Sequence, residues 1–224
     1  SRRKAEELIL NGRVKVNGEL IRELGVKVSS KDRVEVDDVP IYQEEPVYFV
    51  FYKPRGVISA VSDDKGRKVV VDYFTDVPER IYPVGRLDYD TSGLLLLTND
   101  GEFAQRLTHP KHEVDKVYVA KLKGVADQKN LYPLTKGMRI EGHRVAPARY
   151  EILSTDLKAQ TSIVALTIHE GRNHQVKNMF QAVGLPVQKL KREKYGDLTL
   201  AGLRPGEFRQ LNKKEVASLL SQSK

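Results

Sequence analysis

Two carboxylates lie in a loop whose composition suits a reactive site. Residues 85–93 (GRLDYDTSG) lead into the apolar run at 94–97 (LLLL), which is typical of a strand buried on both faces. Loops held by a rigid strand often carry binding or catalytic groups. Asp88 and Asp90 are therefore candidates, with the guanidinium of Arg86 beside them. The loop alone fits equally well a turn in which either aspartate binds its own backbone.

A cation that could reach these carboxylates occurs in residues 170–177 (EGRNHQVK). Apolar residues at i, i+3, i+4 and i+7 predict a helix over residues 174–183, ended by Gly184. His174 and Lys177 share its polar face, so Lys177 lies one turn into the helix. A solvated lysine is the simpler interpretation of this position taken by itself.

An aromatic ring is the third candidate, and the histidines offer little. Tyr118 alternates with Ala120 and Leu122 in a strand predicted over residues 117–122, which by itself indicates a core tyrosine. His109 and His112 have a helical spacing, but a proline between them predicts a loop. The sequence therefore predicts no metal site.

Composition limits the chemistry and suggests a partner. The chain has no cysteine, which excludes disulfides, thiolate nucleophiles and cysteine-ligated metal clusters. Its formal net charge is +8, and residues 172–214 hold ten Lys or Arg against three acids, which gives +7 of that excess. Lys and Arg gain affinity for polyanions by releasing counterions from phosphates, so a nucleic acid is the natural partner.

Targeting signals are absent from the sequence pattern. No apolar run approaches the roughly 20 residues of a membrane span, and no basic-then-apolar leader is present. We therefore expect a cytoplasmic protein with no membrane partner.

The elements that must position these residues fall into a small unit and a larger one. Ser1 as a cap and apolar residues at helical spacing predict a helix over residues 1–10, followed by short strands. We predict a compact α/β unit at 1–42, a linker at 43–46 and a main domain at 47–224. Strands and helices mix there without regular βαβ spacing, which favours an α+β fold with a mainly antiparallel, mixed sheet.

Several runs together resemble one family, the ribosomal RNA pseudouridine synthases, in its type A, specific for the small subunit, and its type B, specific for the large one. Residues 1–18 look like the S4 RNA-binding module of that family, and residues 52–57 (YKPRGV) like its opening strand and turn. Residues 85–88 resemble the catalytic motif, Tyr118 the motif tyrosine and residues 170–177 the third motif. The resemblance covers essentially the whole chain.

The resemblance implies an isomerase that converts a uridine of ribosomal RNA to pseudouridine without a cofactor or a metal. Asp88 would attack the ribose C1′, or otherwise assist cleavage of the bond from C1′ to N1, and the freed uracil would turn and rejoin through C5. Tyr118 would stack on the flipped base, Lys177 would keep Asp88 ionised and aimed, and Asp90 would only support the loop. The residues expected to bind substrate or RNA are Arg86, Arg172, His174, Gln175, Arg2, Arg3, Lys4, Arg13, Lys53 and Arg55.

The substrate and the alternatives follow from finer comparisons. Residues 53–59 and 63–68 look more like the large-subunit type, so we expect large-subunit rRNA as the substrate and a monomeric enzyme. A non-catalytic rRNA-binding or ribosome-assembly factor on the same scaffold is the alternative, although a binder has no need of Asp88, Tyr118 and Lys177 together. A related synthase acting on transfer RNA is disfavoured by the S4-like start.

Overall fold

The chain divides into two compact units. The computed structural model describes residues 1–112 and 114–223, and its units are Ser1–Glu45 and Pro46–Lys224. The division falls inside the segment predicted as a linker.

The first unit is one helix and a four-stranded antiparallel sheet. Helix α1 (Arg2–Leu10) begins at Ser1, whose hydroxyl accepts a hydrogen bond from the amide of Lys4 at 3.3 Å. The strands, β1 (Val14–Val16), β2 (Glu19–Ile21), β3 (Val34–Val36) and β4 (Val39–Ile41), are ordered β2-β1-β3-β4. The predicted helix and the strands at 14–16 and 34–36 are confirmed.

The second unit is built on a nine-stranded sheet. Its strands are β5 (Tyr48–Lys53), β6 (Tyr82–Val84), β7 (Thr91–Thr98), β8 (Lys116–Lys123), β11 (Arg149–Asp156), β12 (Thr161–Ile168), β13 (Val187–Tyr195), β14 (Leu198–Thr199) and β15 (Phe208–Gln210). A separate hairpin is formed by β9 (Arg139–Ile140) and β10 (His143–Arg144). The helices are α2 (Gly101–Thr108), α3 (Gln128–Leu131), α4 (Gln175–Ala182) and α5 (Lys213–Gln222), with 3₁₀ turns at Val70–Tyr73 and Tyr132–Lys136.

The sheet is mixed but mainly antiparallel, so the predicted α+β class is confirmed. The strand order is β11-β12-β8-β13-β7-β5-β15, with β14 on β13 and β6 on β7. Strands β7 and β13 run parallel, and the other ladders of this sheet that the structure describes are antiparallel. The segments that carry the candidate residues therefore meet at the centre of one sheet.

Strand β7 is buried on both faces, as the continuous apolar run predicted. Leu95 and Leu97 belong to an apolar cluster that includes Phe180 of α4, whereas Leu94 and Leu96 belong to one packed with α2 and α5. Each buried leucine side chain contributes roughly 1.5–3 kcal/mol of apolar transfer free energy. The loop that precedes β7 is thus attached to the most firmly packed strand of the domain.

The parallel contact between β7 and β13 requires a glycine. Gly93 lies opposite Arg192, and its φ is 117°. A Cβ atom at Gly93 would come within 2.2 Å of the Arg192 carbonyl oxygen. Because that neighbour is backbone within a central strand, it cannot move aside without separating the two strands.

We predict that Gly93→Ala lowers the free energy of unfolding by about 3 kcal/mol or more, since overpacking and a strained φ combine. Gly66→Ala is the matched control: its φ is 70°, and no described atom lies within 4 Å of the added carbon, so only backbone strain of about 1–2 kcal/mol is expected. Urea titration of both variants measures the difference. Equal losses for the two variants would contradict the close-contact explanation.

Candidate active site

The buried ammonium of Lys53 holds the loop that carries Asp88. The Lys53 side chain, at the end of β5, is fully buried, and its Nζ donates to the carbonyl oxygens of Pro54 (3.0 Å), Asp88 (3.1 Å) and Thr91 (2.7 Å). Burial lowers the pKa of Lys53 to about 8, against the opposing charges of Asp88 and Asp90. The prediction that Lys53 contacts RNA is therefore wrong: this ammonium has no surface to offer a ligand.

Two further contacts fix the same loop from residues 55–59. The Ser59 hydroxyl donates to the carbonyl of Leu87 at 2.8 Å and accepts from its amide at 3.1 Å. The Nε of Arg55, which is exposed, donates to the carbonyl of Asp90 at 3.1 Å. The backbone on both sides of Asp88 is thus bound to the segment that follows β5.

One lysine pairs with both carboxylates of the loop. Nζ of Lys177 lies 3.1 Å from Asp88 Oδ2 and 2.6 Å from Asp90 Oδ1. His174 Nε2 is 3.4 Å from the other oxygen of Asp88. The hydrogen bond from Lys177 lowers the pKa of Asp90 despite some burial. Burial acts to lower the pKa of Lys177, but the bonds and charges of Asp90 and Asp88 outweigh it and raise the pKa. Asp90 is therefore more than the loop support that was expected.

Helix α4 delivers His174 and Lys177 through a well-defined turn. His174, immediately before α4, has a φ of 52°, a left-handed conformation that a non-glycine residue adopts at a cost of about 1–2 kcal/mol. The Gln175 side chain is buried; its amide donates to Glu170 at 2.9 Å and its oxygen accepts from the amide of Arg172 at 3.2 Å. The prediction that Gln175 contacts RNA is corrected, because both ends of its amide bind the protein and hold this turn.

A single large cavity joins most of the predicted residues. It has a volume of about 1,290 Å³, and it is lined by Asp88, Tyr118, Lys177, Arg86, Arg172 and His174 among others. Tyr118 is only 9% exposed, whereas Arg86 and Arg172 are exposed at the rim. A smaller cavity of about 250 Å³ shares Asp90 and Lys177 with it and is bordered by Asn178, Gln181, Gln188 and Lys189.

The remaining predicted residues lie in the first unit, each on its own exposed surface. Arg2 pairs with Glu6 at 3.0 Å, and Arg13 forms a two-bonded pair with Asp37. Arg3 and Lys4 are exposed in the first turn of α1, which contains no acidic residue. Cations there are unfavourable with the helix dipole, so their position is unexplained by the stability of the helix.

Two buried cations of the large cavity were missed by the sequence reasoning. Arg192 on β13 is 4% exposed, and Lys116 on β8 is 8% exposed. Burial, followed by the charge of Arg192, lowers the pKa of Lys116 to about 8. The signal was available, because Lys116 lies two residues before Tyr118 and Arg192 two after Leu190, so the period of a strand turns both inward.

Two further properties bear on cofactors and membranes. Within residues 1–112 and 114–223, no group of three or more His, Asp or Glu side chains is placed to hold a metal ion. No helix of that same part of the chain is long and apolar enough to cross a bilayer.

We predict that Lys53→Met lowers the free energy of unfolding by about 3 kcal/mol, because three carbonyl oxygens lose their donor. Lys65→Met, at an exposed position, is the control and should change stability by less than about 0.5 kcal/mol. Urea titration checks both values. A loss of the control's size would show that the loop is held by other contacts.

The same variant tests the pKa of Lys53. The folded pKa of about 8 lies below the unfolded value near 10.5, so the unfolded chain binds the additional proton between these values. The stability of the wild type relative to Lys53→Met should therefore rise from pH 8 to pH 10.5, and this increment should be lost as the pH falls through 8.

Comparison with known proteins agrees with the motifs. The family model for RNA pseudouridylate synthase matches residues 47–182, and the model for the S4 domain matches residues 1–34. Ribosomal large subunit pseudouridine synthase B of Bacillus subtilis (strain 168) is 61% identical, over 98% of this chain and 90% of the relative. Ribosomal small subunit pseudouridine synthase A of Escherichia coli (strain K12) is 38% identical, over 98% and 94%.

A solved structure agrees as well. A pseudouridylate synthase crystal structure matches with a TM-score of 0.71 at 36% identity, covering 98% of this chain and 94% of that chain. The predicted resemblance is confirmed by sequence and by fold. The chain therefore belongs to the RNA pseudouridylate synthase family, with an S4 domain ahead of the synthase domain.

Proposed function

We propose that this enzyme converts a uridine of large-subunit ribosomal RNA to pseudouridine, with Asp88 as the nucleophile and with the target base flipped into the large cavity. The observation that carries the proposal is the setting of Asp88: an ionised carboxylate beside Lys177, on a loop whose backbone is bound on both sides, in the same cavity as Tyr118. A fixed backbone and a paired charge are what a nucleophile needs in order to be aimed.

The reaction is an isomerisation, so its atoms balance without a co-reactant. An oxygen of Asp88 attacks C1′, and the electron pair of the C1′–N1 bond leaves with the uracil. The ring turns, C5 attacks C1′, and the carboxylate leaves again. One proton is lost from C5 and one is gained at N1. Lys177 favours the ionised form of Asp88 at the start, because a neighbouring cation stabilises a carboxylate.

Base flipping follows from the geometry of the cavity. A nucleophile on a protein loop cannot reach C1′ in a stacked helix, and extrusion of a nucleotide costs about a few kcal/mol. Stacking of one base on an aromatic ring returns roughly 1–3 kcal/mol, which Tyr118 is placed to supply. The smaller cavity beside Lys177 would take part of a neighbouring nucleotide, since amide side chains such as Asn178 and Gln181 can bind base edges.

Ribosomal RNA is supported by the relatives and by the charge. Both named relatives are ribosomal pseudouridine synthases by their descriptions, and the one at 61% identity is of the large-subunit type. The S4 domain presents exposed cations on α1, and the synthase domain adds exposed Arg86 and Arg172 at the cavity. The monomeric state and the cytoplasmic location stay predictions.

We predict that Asp88→Asn abolishes pseudouridine formation, with a loss of about 10⁴-fold or more in kcat, because an amide is a far poorer nucleophile. Asp90→Asn is the matched control, and it should retain activity within about tenfold because Lys177 still pairs with Asp88. Both variants should bind RNA as the wild type does. Turnover by Asp88→Asn, or its loss in Asp90→Asn alone, would contradict the assignment of the nucleophile.

The same pair of variants identifies the substrate in cells lacking the gene. Pseudouridines are mapped in both ribosomal RNAs and in transfer RNA after complementation. The wild type should restore one position of the large-subunit RNA, and Asp88→Asn should not. Restoration in transfer RNA would establish the alternative substrate, and restoration nowhere would favour a non-catalytic binding protein.

We predict that Arg3→Ala/Lys4→Ala weakens RNA binding and lowers the slope of log K against log salt by about 1–2, because up to two phosphate contacts are lost. Lys213→Ala/Lys214→Ala removes the same charge from the exposed start of α5 and is the control. Affinity is measured by titration at several salt concentrations, and kcat should not change. An equal effect of the control would mean that only net charge matters.

A further inference from the structure

The floor of the large cavity contains a guanidinium with an unused donor. Arg192 Nε donates to the carbonyl of Leu94 at 2.8 Å, and Nη1 lies 3.4 Å from the hydroxyl of Tyr118. Its Nη2 is buried and has no hydrogen-bond partner among the described residues. A buried donor left unsatisfied is rare in folded proteins and is more often functional than accidental.

The charge of Arg192 is not balanced by the acids of the cavity. Asp88 and Asp90 pair with Lys177, and the Glu170 carboxylate accepts from Gln175. Within the part of the chain that the structure describes, none of these carboxylates forms an ion pair with Arg192. A buried cation without a counter-ion is unfavourable in the unliganded protein.

A second cation strengthens the imbalance. Lys116, also in the wall of the cavity, donates to the carbonyl of His169 at 3.1 Å. Lys116 Nζ lies 5.4 Å and the Arg192 guanidinium 5.1 Å from the centre of the Tyr195 ring, and the guanidinium lies 5.9 Å from that of Tyr118. The two cations thus lie beneath the aromatic side of the cavity, and Lys177 pairs with Asp88 from α4.

The proposed reaction generates a negative charge at this place. When the C1′–N1 bond breaks, its electron pair leaves with the uracil, whose charge spreads over N1 and the carbonyl oxygens. The detached ring is the one species of the reaction that is both anionic and unattached to the RNA. A fixed cation in a low-dielectric wall stabilises such charge without reorganisation.

We propose that Arg192, assisted by Lys116, forms an electrostatic site for the detached uracil anion beneath Tyr118. This inference rests on the proposed function. Arg192 is a positioning residue in this role: it supports Tyr118 through its hydroxyl and acts on the base by its charge. It stabilises the state after bond cleavage more than the bound RNA, so it should affect the chemical step and not affinity.

The test compares Arg192→Met, Arg192→Lys and Lys116→Met with Lys194→Met, which removes an exposed charge from the same strand. Single-turnover rates are measured with an rRNA fragment, under conditions in which urea titration shows each variant to be folded. Arg192→Met should lower the rate about 100-fold with Kd and salt slope unchanged. Arg192→Lys should recover at least tenfold of that loss, Lys116→Met should lose about tenfold, and the control should match the wild type.

A change of leaving group separates charge from support of the fold. A fluorine at C5 withdraws electrons and stabilises the detached anion by itself. The rate at which 5-fluorouridine is consumed in the same RNA should therefore fall less in Arg192→Met than the rate for uridine. Lys116→Met should show the same trend, and it leaves the bonds of Arg192 to Leu94 and Tyr118 in place.

Three results would overturn the inference. A weaker Kd and a salt slope lower by about 1, with the rate retained, would make Arg192 a phosphate contact. Equal rates for the Lys and Met variants would show that charge is not what matters, and equal losses for uridine and 5-fluorouridine would indicate a structural role. A wild type that converts no uridine would instead refute the proposed function itself.

Discussion

The site depends on one buried ammonium. Lys53 ends a central strand with its side chain inside the protein, and three carbonyl oxygens converge on its Nζ, two of them from the loop that carries Asp88. A loop of this composition would otherwise be free to adopt many conformations, and fixing each residue costs about 1–2 kcal/mol. The ammonium offsets part of that cost, and it orients the backbone rather than the reactive side chain.

Around that fixed loop, cations are arranged in two layers. Arg86 and Arg172 lie exposed at the rim of the cavity, where they can meet phosphates, whereas Arg192 and Lys116 are buried in its floor. Exposed charges act mainly on association and are screened by salt, while buried charges act on whatever reaches the bottom of the cavity. The same residue type therefore serves binding at one depth and chemistry at another.

Periodicity made the elements of the fold predictable. The apolar spacing of α1 and α4 and the continuous run of β7 each gave the correct element, since burial of apolar faces drives all three. The pairing of Lys177 with Asp88 was also predictable, but only through the motifs taken jointly. No spacing relates a loop at 85–93 to a helix at 175–182, and their contact arises from the parallel pairing of β7 with β13.

The errors concern buried polar residues, which composition assigns to the surface. Lys53 continues the inward alternation of Phe49 and Phe51, so its burial was implied by strand period although its charge suggested RNA. Gln175 lies one residue before the apolar face of α4, and its role in the turn depends on Glu170, which sequence spacing does not orient. The sharing of Lys177 by Asp90 likewise required the folded loop.

That sharing has a consequence for charge during the reaction. In the proposed mechanism Asp88 loses its negative charge when its oxygen bonds to C1′, and a lysine that served Asp88 alone would then be left as an isolated cation in a closed cavity. Asp90 stays 2.6 Å from the same ammonium throughout. The pair of aspartates thus keeps the helix and the loop joined while one of them is covalently occupied, so the protein does not have to rebuild its own site between the two halves of each turnover.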